Sequence, residues 1–157
     1  MTVQEEKFIH FSSCVAWLNN AWRLLQVVQQ QTDNPLSGAA FRFALIEYCK
    51  PYKRSNGITQ SFKLDVSCVP GAYQALHERI ISARDQVQAH SDLTLMEAKL
   101  SVQEYMGQRY SAILQNNITG LEEWTNIGEI IALIEGTLDN MYVLEKRLEQ
   151  ALTPEEG

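Results

Sequence analysis

Between residues 84 and 92 the chain reads Arg-Asp-Gln-Val-Gln-Ala-His-Ser-Asp, which sets a guanidinium, a carboxylate and an imidazole within about two helical turns. An imidazole titrates near neutral pH and can move protons, while a guanidinium grips oxyanions through charged hydrogen bonds. The element that must position them lies just before. Tyr73, Leu76, Ile80, Ala83 and Val87 step by three and four, the spacing of one buried helix face, and the next step lands on His90. The pattern predicts a helix from about Pro70 to His90, with Pro70 in its first turn and an imidazole where another Leu or Ile would be expected.

Geometry limits what that helix can do alone. Six positions rotate by about 600°, so on an ideal helix Arg84 and His90 point about 120° apart and lie about 9 Å apart along the axis. One straight helix does not aim both at a single phosphate. Either the last turn unwinds near Ala89 and His90, or the Arg reaches along the helix, or a second chain completes the site across a twofold axis.

The stretch resembles the signature of the HEPN superfamily (higher eukaryotes and prokaryotes nucleotide-binding): an Arg, a polar residue directly after it, and a His four to six residues further on. Here the polar residue is Asp85, the gap is five, and the ending Ala89-His90-Ser91-Asp92 is similar to that of many bacterial members. The motif covers about ten residues, while the length and helical pattern suit the family over most of the chain. The resemblance implies an all-helical, dimeric domain and a metal-independent endoribonuclease. His90 would move protons, Arg84 would hold the phosphate, and Asp85 would orient one of them. It also implies a homodimer acting on RNA or a nucleotide, as a toxin or defence protein restrained by an antitoxin or other protein partner. No cofactor or metal is implied.

Simpler readings exist for the same residues. His90 at a helix end can cap carbonyls at the negative end of the helix dipole. Arg84 and Asp85 can form a surface pair worth little. His77 shares a face with Arg84 at a spacing of seven and could join the site, but suits a partly buried helix position; His10 reads as structural or exposed. Glu47 and Tyr48 could line a pocket beside the third helix. There is no Gly-rich phosphate loop, HExxH, GxSxG or Cys-His nucleophile pattern.

A net charge of -6 over 157 residues argues against nonspecific nucleic-acid binding by the whole surface. The charge is uneven. From Arg42 to Asp85 seven cations face four anions, a net +3 that leaves -9 for the remainder. Lys50, Lys53, Arg54 and Lys63 in this segment are candidates for RNA backbone contacts by charge alone, although three of them also stand where cations suit a helix C-terminus. Cys14, Cys49 and Cys68 lack CxxC spacing and read as small buried hydrophobes in a reducing compartment. No apolar run approaches the ~20 residues that span a bilayer. The start has no basic region followed by an apolar block, which makes the cytoplasm the expected location.

The length suits a single domain over residues 1–157. The first helix is predicted from Val3 to Gln31 with two apolar stripes side by side. One holds Phe8, Phe11, Val15, Leu18, Trp22 and Leu25, the other Cys14, Trp17, Ala21, Leu24 and Val28. Such a helix is covered on two sides, by its own bundle or by a partner. A second helix should start at Pro35 with Asn34 as N-cap and end before Pro51. An ordered, cation-bearing loop then leads to Pro70. Between the third helix and a final one ending near Leu152, the alternation of Leu100 to Gln103 and the Met106 to Arg109 turn favour a small hairpin, against a short helix capped by Thr94 and Glu97. The expected fold is therefore all-α, an up-and-down bundle of four long helices with a short hairpin or extra helix between helices 3 and 4. Two functions fit it: a ribonuclease, or a noncatalytic helical bundle binding a nucleotide, RNA or protein.

Overall fold

The computed structural model describes residues 1–84, 96–118 and 122–152. Four α-helices and two antiparallel hairpins follow in the order α1 (Val3–Gln30), α2 (Ser37–Cys49), β1 (Ser55–Asn56), β2 (Ser61–Phe62), α3 (Gln74–Ala83), β3 (Met96–Tyr105), β4 (Gln108–Ile118) and α4 (Ile127–Gln150). The all-α expectation is thereby corrected: the fold is mixed, and the third helix is short. The physical reason lies in the backbone hydrogen bonds. The backbone of β3 pairs with that of β4 from Met96↔Ile118 to Tyr105↔Gln108, so this segment satisfies its polar backbone by cross-strand pairing.

Helix α1 begins with a reciprocal cap. The Thr2 side chain accepts from the Glu5 backbone N–H, and the Glu5 carboxylate accepts from Thr2 N at 2.6 Å. Its two apolar stripes are both covered within the chain, because α1 packs along α2 on one side and α4 on the other. Ser12, Asn19 and Trp22 hydrogen-bond to Glu145, Tyr142 and Glu135 of α4. Helix α2 starts two residues later than expected. Asn34 still turns the chain, accepting from Leu36 N through its side chain at 2.9 Å. Beyond Cys49 the helix tightens into a 3-10 turn, Lys50–Tyr52, that contains Pro51.

The core holds Cys14, Leu18, Ala21, Leu25 and Val28 from α1, Phe41, Ala44 and Tyr48 from α2, Ile80 from α3, and Ile130, Leu133, Ile134 and Met141 from α4. Each large member stabilises the fold by about 1.5–3 kcal/mol relative to exposure. The loop between α2 and α3 is fastened at two points. Glu6, only 6% exposed, accepts from the backbone N–H groups of Ile58 and Thr59 and from the Thr59 hydroxyl, which fixes the β1–β2 turn on α1. A side chain at Gly57 would drive its Cβ to 2.3 Å from a Glu6 carboxylate oxygen. Asn140 of α4 donates to the Cys68 carbonyl at 3.0 Å, and Pro70 lies so close to Gly136 that a Cβ there would sit 2.8 Å from the proline ring. No described helix is long and apolar enough to cross a membrane.

Candidate functional site

Helix α3 is short but firmly placed. Leu76, His77 and Ile80 face the core, and the Arg79 guanidinium meets the Glu123 carboxylate at 2.7 Å. Burial pushes the Glu123 carboxyl up, but hydrogen bonds from Arg79 and Asn126 outweigh it and leave the group below the usual carboxylate range. Arg84 closes the helix at φ -61, ψ -45, half-buried. Asp85 and His90 lie outside the described residues. The helical setting foreseen for the motif is thus present as far as Arg84.

His77 lies inside the protein, 5% exposed. The Tyr48 hydroxyl lies 2.7 Å from its Nδ1, and its ring meets the Tyr48 and Tyr52 rings edge to face at 5.8 and 4.5 Å. Desolvation holds the His77 imidazole below its ordinary value; Lys63 adds to the shift and Glu78 opposes it. Burial likewise pushes the phenols of Tyr48 and Tyr52 up. The Tyr52 hydroxyl is buried and has no partner in good hydrogen-bond geometry among the described residues, although the Tyr48 and Thr137 hydroxyls stand close enough to act on it. Tyr48 does lie beside the third helix, as part of the core. This cluster supplies rigidity where α2 meets α3.

The candidate substrate-binding cations are distributed along one segment. Lys50 pairs with the buried Glu47, and its ammonium lies 5.8 and 6.0 Å from the ring centroids of Trp17 and Phe43. Lys53 follows the 3-10 turn, half-buried. Arg54 and Lys63 flank the Ser55↔Phe62 pair of the small hairpin, with Arg54 Nε donating to Ser61 Oγ at 3.1 Å. Lys63 also borders a cleft.

That cleft, of about 370 Å³, opens between the N-terminal half of α1, the β2 strand with its following turn, and the C-terminal end of α4. Phe11, Cys14, Phe62, Leu64, Cys68, Leu144 and Leu148 give it an apolar lining, and Lys7, Lys63 and Arg147 stand around it. His10 is built into the wall. Its ring stacks on Phe62 at 4.7 Å, with Ser55 Oγ 3.3 Å from Nδ1 and Cys14 Sγ 3.6 Å from Nε2. The close thiol and imidazole do not make a nucleophile. Cys14 is fully buried, and desolvation together with neighbouring Cys68 pushes its thiol up to about 12, whereas nucleophilic cysteines need a lowered value. Among the described residues no group of three or more His, Cys, Asp or Glu could hold a metal ion.

No family model, curated protein or solved structure matches this chain. The likeness to the HEPN signature therefore rests on residues 84–92 themselves. Sequence reasoning missed the cleft, because its walls come from residues 7–14, 62–68 and 144–148. Lys63 was singled out by charge; nothing in the sequence joined it to Lys7 or Arg147.

Proposed function

We propose that the protein cuts RNA without a metal ion, using Arg84, Asp85 and His90 in a homodimer. The observation that carries this reading is the residue pattern Arg84-Asp85, five residues to His90, then Ser91-Asp92, beginning where α3 ends in a half-buried arginine. In this reaction the RNA 2'-oxygen attacks the adjacent phosphorus, its proton leaves to a base, and the bond from phosphorus to the 5'-oxygen breaks as that oxygen takes up a proton. The products are a 2',3'-cyclic phosphate and a free 5'-hydroxyl. His90 is the proton-transfer group, and Arg84 stabilises the added negative charge on the phosphoryl oxygens. Asp85 orients one of the two. Lys50, Lys53, Arg54 and Lys63 contact the RNA backbone on either side. The twofold arrangement brings in a second Arg and His, which resolves the divergence of the two positions on a single helix.

The second reading is a noncatalytic binding module. The β3–β4 hairpin favours it, because Leu100, Val102, Tyr105 and Tyr110 are all more than half exposed there and offer a surface to a protein partner, such as one that restrains a toxin. Incubation of purified protein with mixed RNA in excess chelator separates the two. Cutting with cyclic-phosphate ends, lost in both Arg84→Ala and His90→Ala while helical content and size-exclusion volume are retained, supports the enzyme. An inactive dimeric parent at high concentration supports the binding module.

A further inference from the structure

The cleft between α1, β2 and α4 combines two features that a phosphodiester alone would not use together. Its floor is hydrocarbon, formed by Phe11, Phe62, Leu64, Leu144 and Leu148, and its rim carries Lys7, Lys63 and Arg147. None of these three cations forms an ion pair with a described residue, in a chain whose net charge is -6. The other polar wall groups are occupied. Asp65 is turned into its own 3-10 turn, where it accepts from Ser67 N at 2.8 Å, and both His10 ring nitrogens face wall groups, Ser55 and Cys14.

The walls are also held in place before any ligand arrives. Glu6 ties the β1–β2 turn to α1, and Asn140 ties the Cys68 carbonyl to α4, so the segment carrying Phe62 to Cys68 is fixed from both sides. Holding a site open in this way reduces the ordering cost of binding. The volume is near the lower end of small-ligand sites and admits about a dozen water-sized groups.

We propose that this cleft binds a medium-chain carboxylate, its hydrocarbon lying on Phe11, Phe62 and Leu148 and its charged head among Lys7, Lys63 and Arg147. The apolar floor desolvates the chain, which strengthens the attraction between the head and the rim. Size decides against longer amphiphiles, and a rim with three cations against the single Asp65 carboxylate decides against cations and neutral apolar molecules as the preferred occupants. The proposal shares Lys63 with the RNA-cutting reading but none of its catalytic residues that the structure describes, since Arg84 does not line the cleft.

The test is calorimetric titration of the whole protein with octanoate below its micellar range, beside 1-octanol, acetate and inorganic phosphate. Octanoate should bind saturably with one site per chain, octanol about tenfold more weakly, and acetate and phosphate not measurably. The triple variant Lys7→Gln, Lys63→Gln, Arg147→Gln alters only exposed positions and should keep its thermal midpoint while losing about tenfold in octanoate affinity. Absence of saturable octanoate binding overturns the proposal. So does equal affinity for octanol, or an unchanged triple variant. Displacement of octanoate by inorganic phosphate or by a short single-stranded RNA overturns it as well, since the cleft would then read the anion alone. Cutting of RNA is assayed separately, and Arg84→Ala should leave octanoate binding unchanged.

Discussion

Tyr48 and Tyr105 show how differently two parts of this molecule are stabilised. Tyr48 is fully buried on α2 with its hydroxyl on His77, whereas Tyr105 ends β3 with 66% of its surface in water. Around Tyr48 the helices bury their apolar faces on one another, α1 against α2 and α4, and α2 against α3. The β3–β4 hairpin instead pairs mainly with itself, and its described side chains from Leu100 to Ala112 are almost all exposed. A two-stranded ribbon with so little packing is marginal in water, so its ladder and its turn carry most of its order. The lesson is that one chain can tolerate apolar residues in both places, but only the buried ones set the global stability.

The sharpest way to break that contrast is to truncate one aromatic in each region. Phe41 is fully buried, and its ring meets Trp124 edge to face at 5.1 Å. Phe41→Ala should cost about 3–5 kcal/mol in urea unfolding. Tyr105→Ala should stay within about 0.5 kcal/mol. Comparable losses would show that the hairpin is packed against something in solution, which a size-exclusion profile would reveal. Next in size is the buried polar pair. Tyr48→Phe removes the partner of His77 Nδ1 and should cost about 1–3 kcal/mol. Tyr52→Phe removes a buried hydroxyl that has no partner in good geometry among the described residues, and should be neutral or stabilising by up to about 1 kcal/mol. If the two variants lose equally, the Tyr52 hydroxyl has a partner that matters.

The same contrast explains what could be read in the sequence. The two stripes of α1 were legible because helical periodicity records burial directly, and α2 and α4 cover them. Sequence alone left open whether a partner covered one of them; chain connectivity answers that only once folded. The hairpin's inner part was legible from the alternation after Leu100 and the glycine at 107. Its outer part was not. Glu97 after Thr94 suggests a helix cap, and Asn116-Asn117 suggests a break, yet Glu97 pairs with Asn117 and Ala98 with Asn116 across the strands, beside an irregularity in register between Ala98 and Leu100. Cross-strand pairing overrides local preference there. Of the proposed site, the helical setting of Arg84 was readable from the Leu76 and Ile80 spacing. The cleft was not, since three segments distant in sequence have to fold before it exists.

Buried His77 gives the helical half a pH response. Its imidazole is held below the ordinary 6.5 in the folded protein, so the unfolded chain binds a proton first as pH falls. Above about pH 6.5 both states are neutral there and stability is level. Below it stability should decline, by at most about 1.4 kcal/mol per pH unit for this group, until the folded imidazole also charges. His10, also lowered by desolvation, adds to the same window, while Glu6, Asp65 and Glu123, all lowered, lose their contribution only at more acid pH. Urea midpoints measured from pH 7.5 to 5 should therefore fall, and His77→Gln should flatten the curve. A parent curve that is already flat would mean the imidazole is solvated.

The smallest effect belongs to the turn of the long hairpin. Tyr105 pairs with Gln108, leaving a two-residue loop in which Met106 has φ 52 and Gly107 φ 77, positive at both positions as a type I′ turn requires. Glycine accepts that backbone; methionine does so only against the clash of its Cβ, at a cost of about 1–2 kcal/mol. Because the Met106 side chain is 86% exposed, nothing is gained by burial in exchange. Met106→Asn should therefore slow amide exchange along β3 and β4 by up to about tenfold, the asparagine being far more at ease with positive φ. The global urea midpoint should not move, since the helices do not depend on the ribbon. A midpoint that rises with the hairpin's protection would instead join the two regions into one cooperative unit, and the contrast between Tyr48 and Tyr105 would then describe exposure without describing stability.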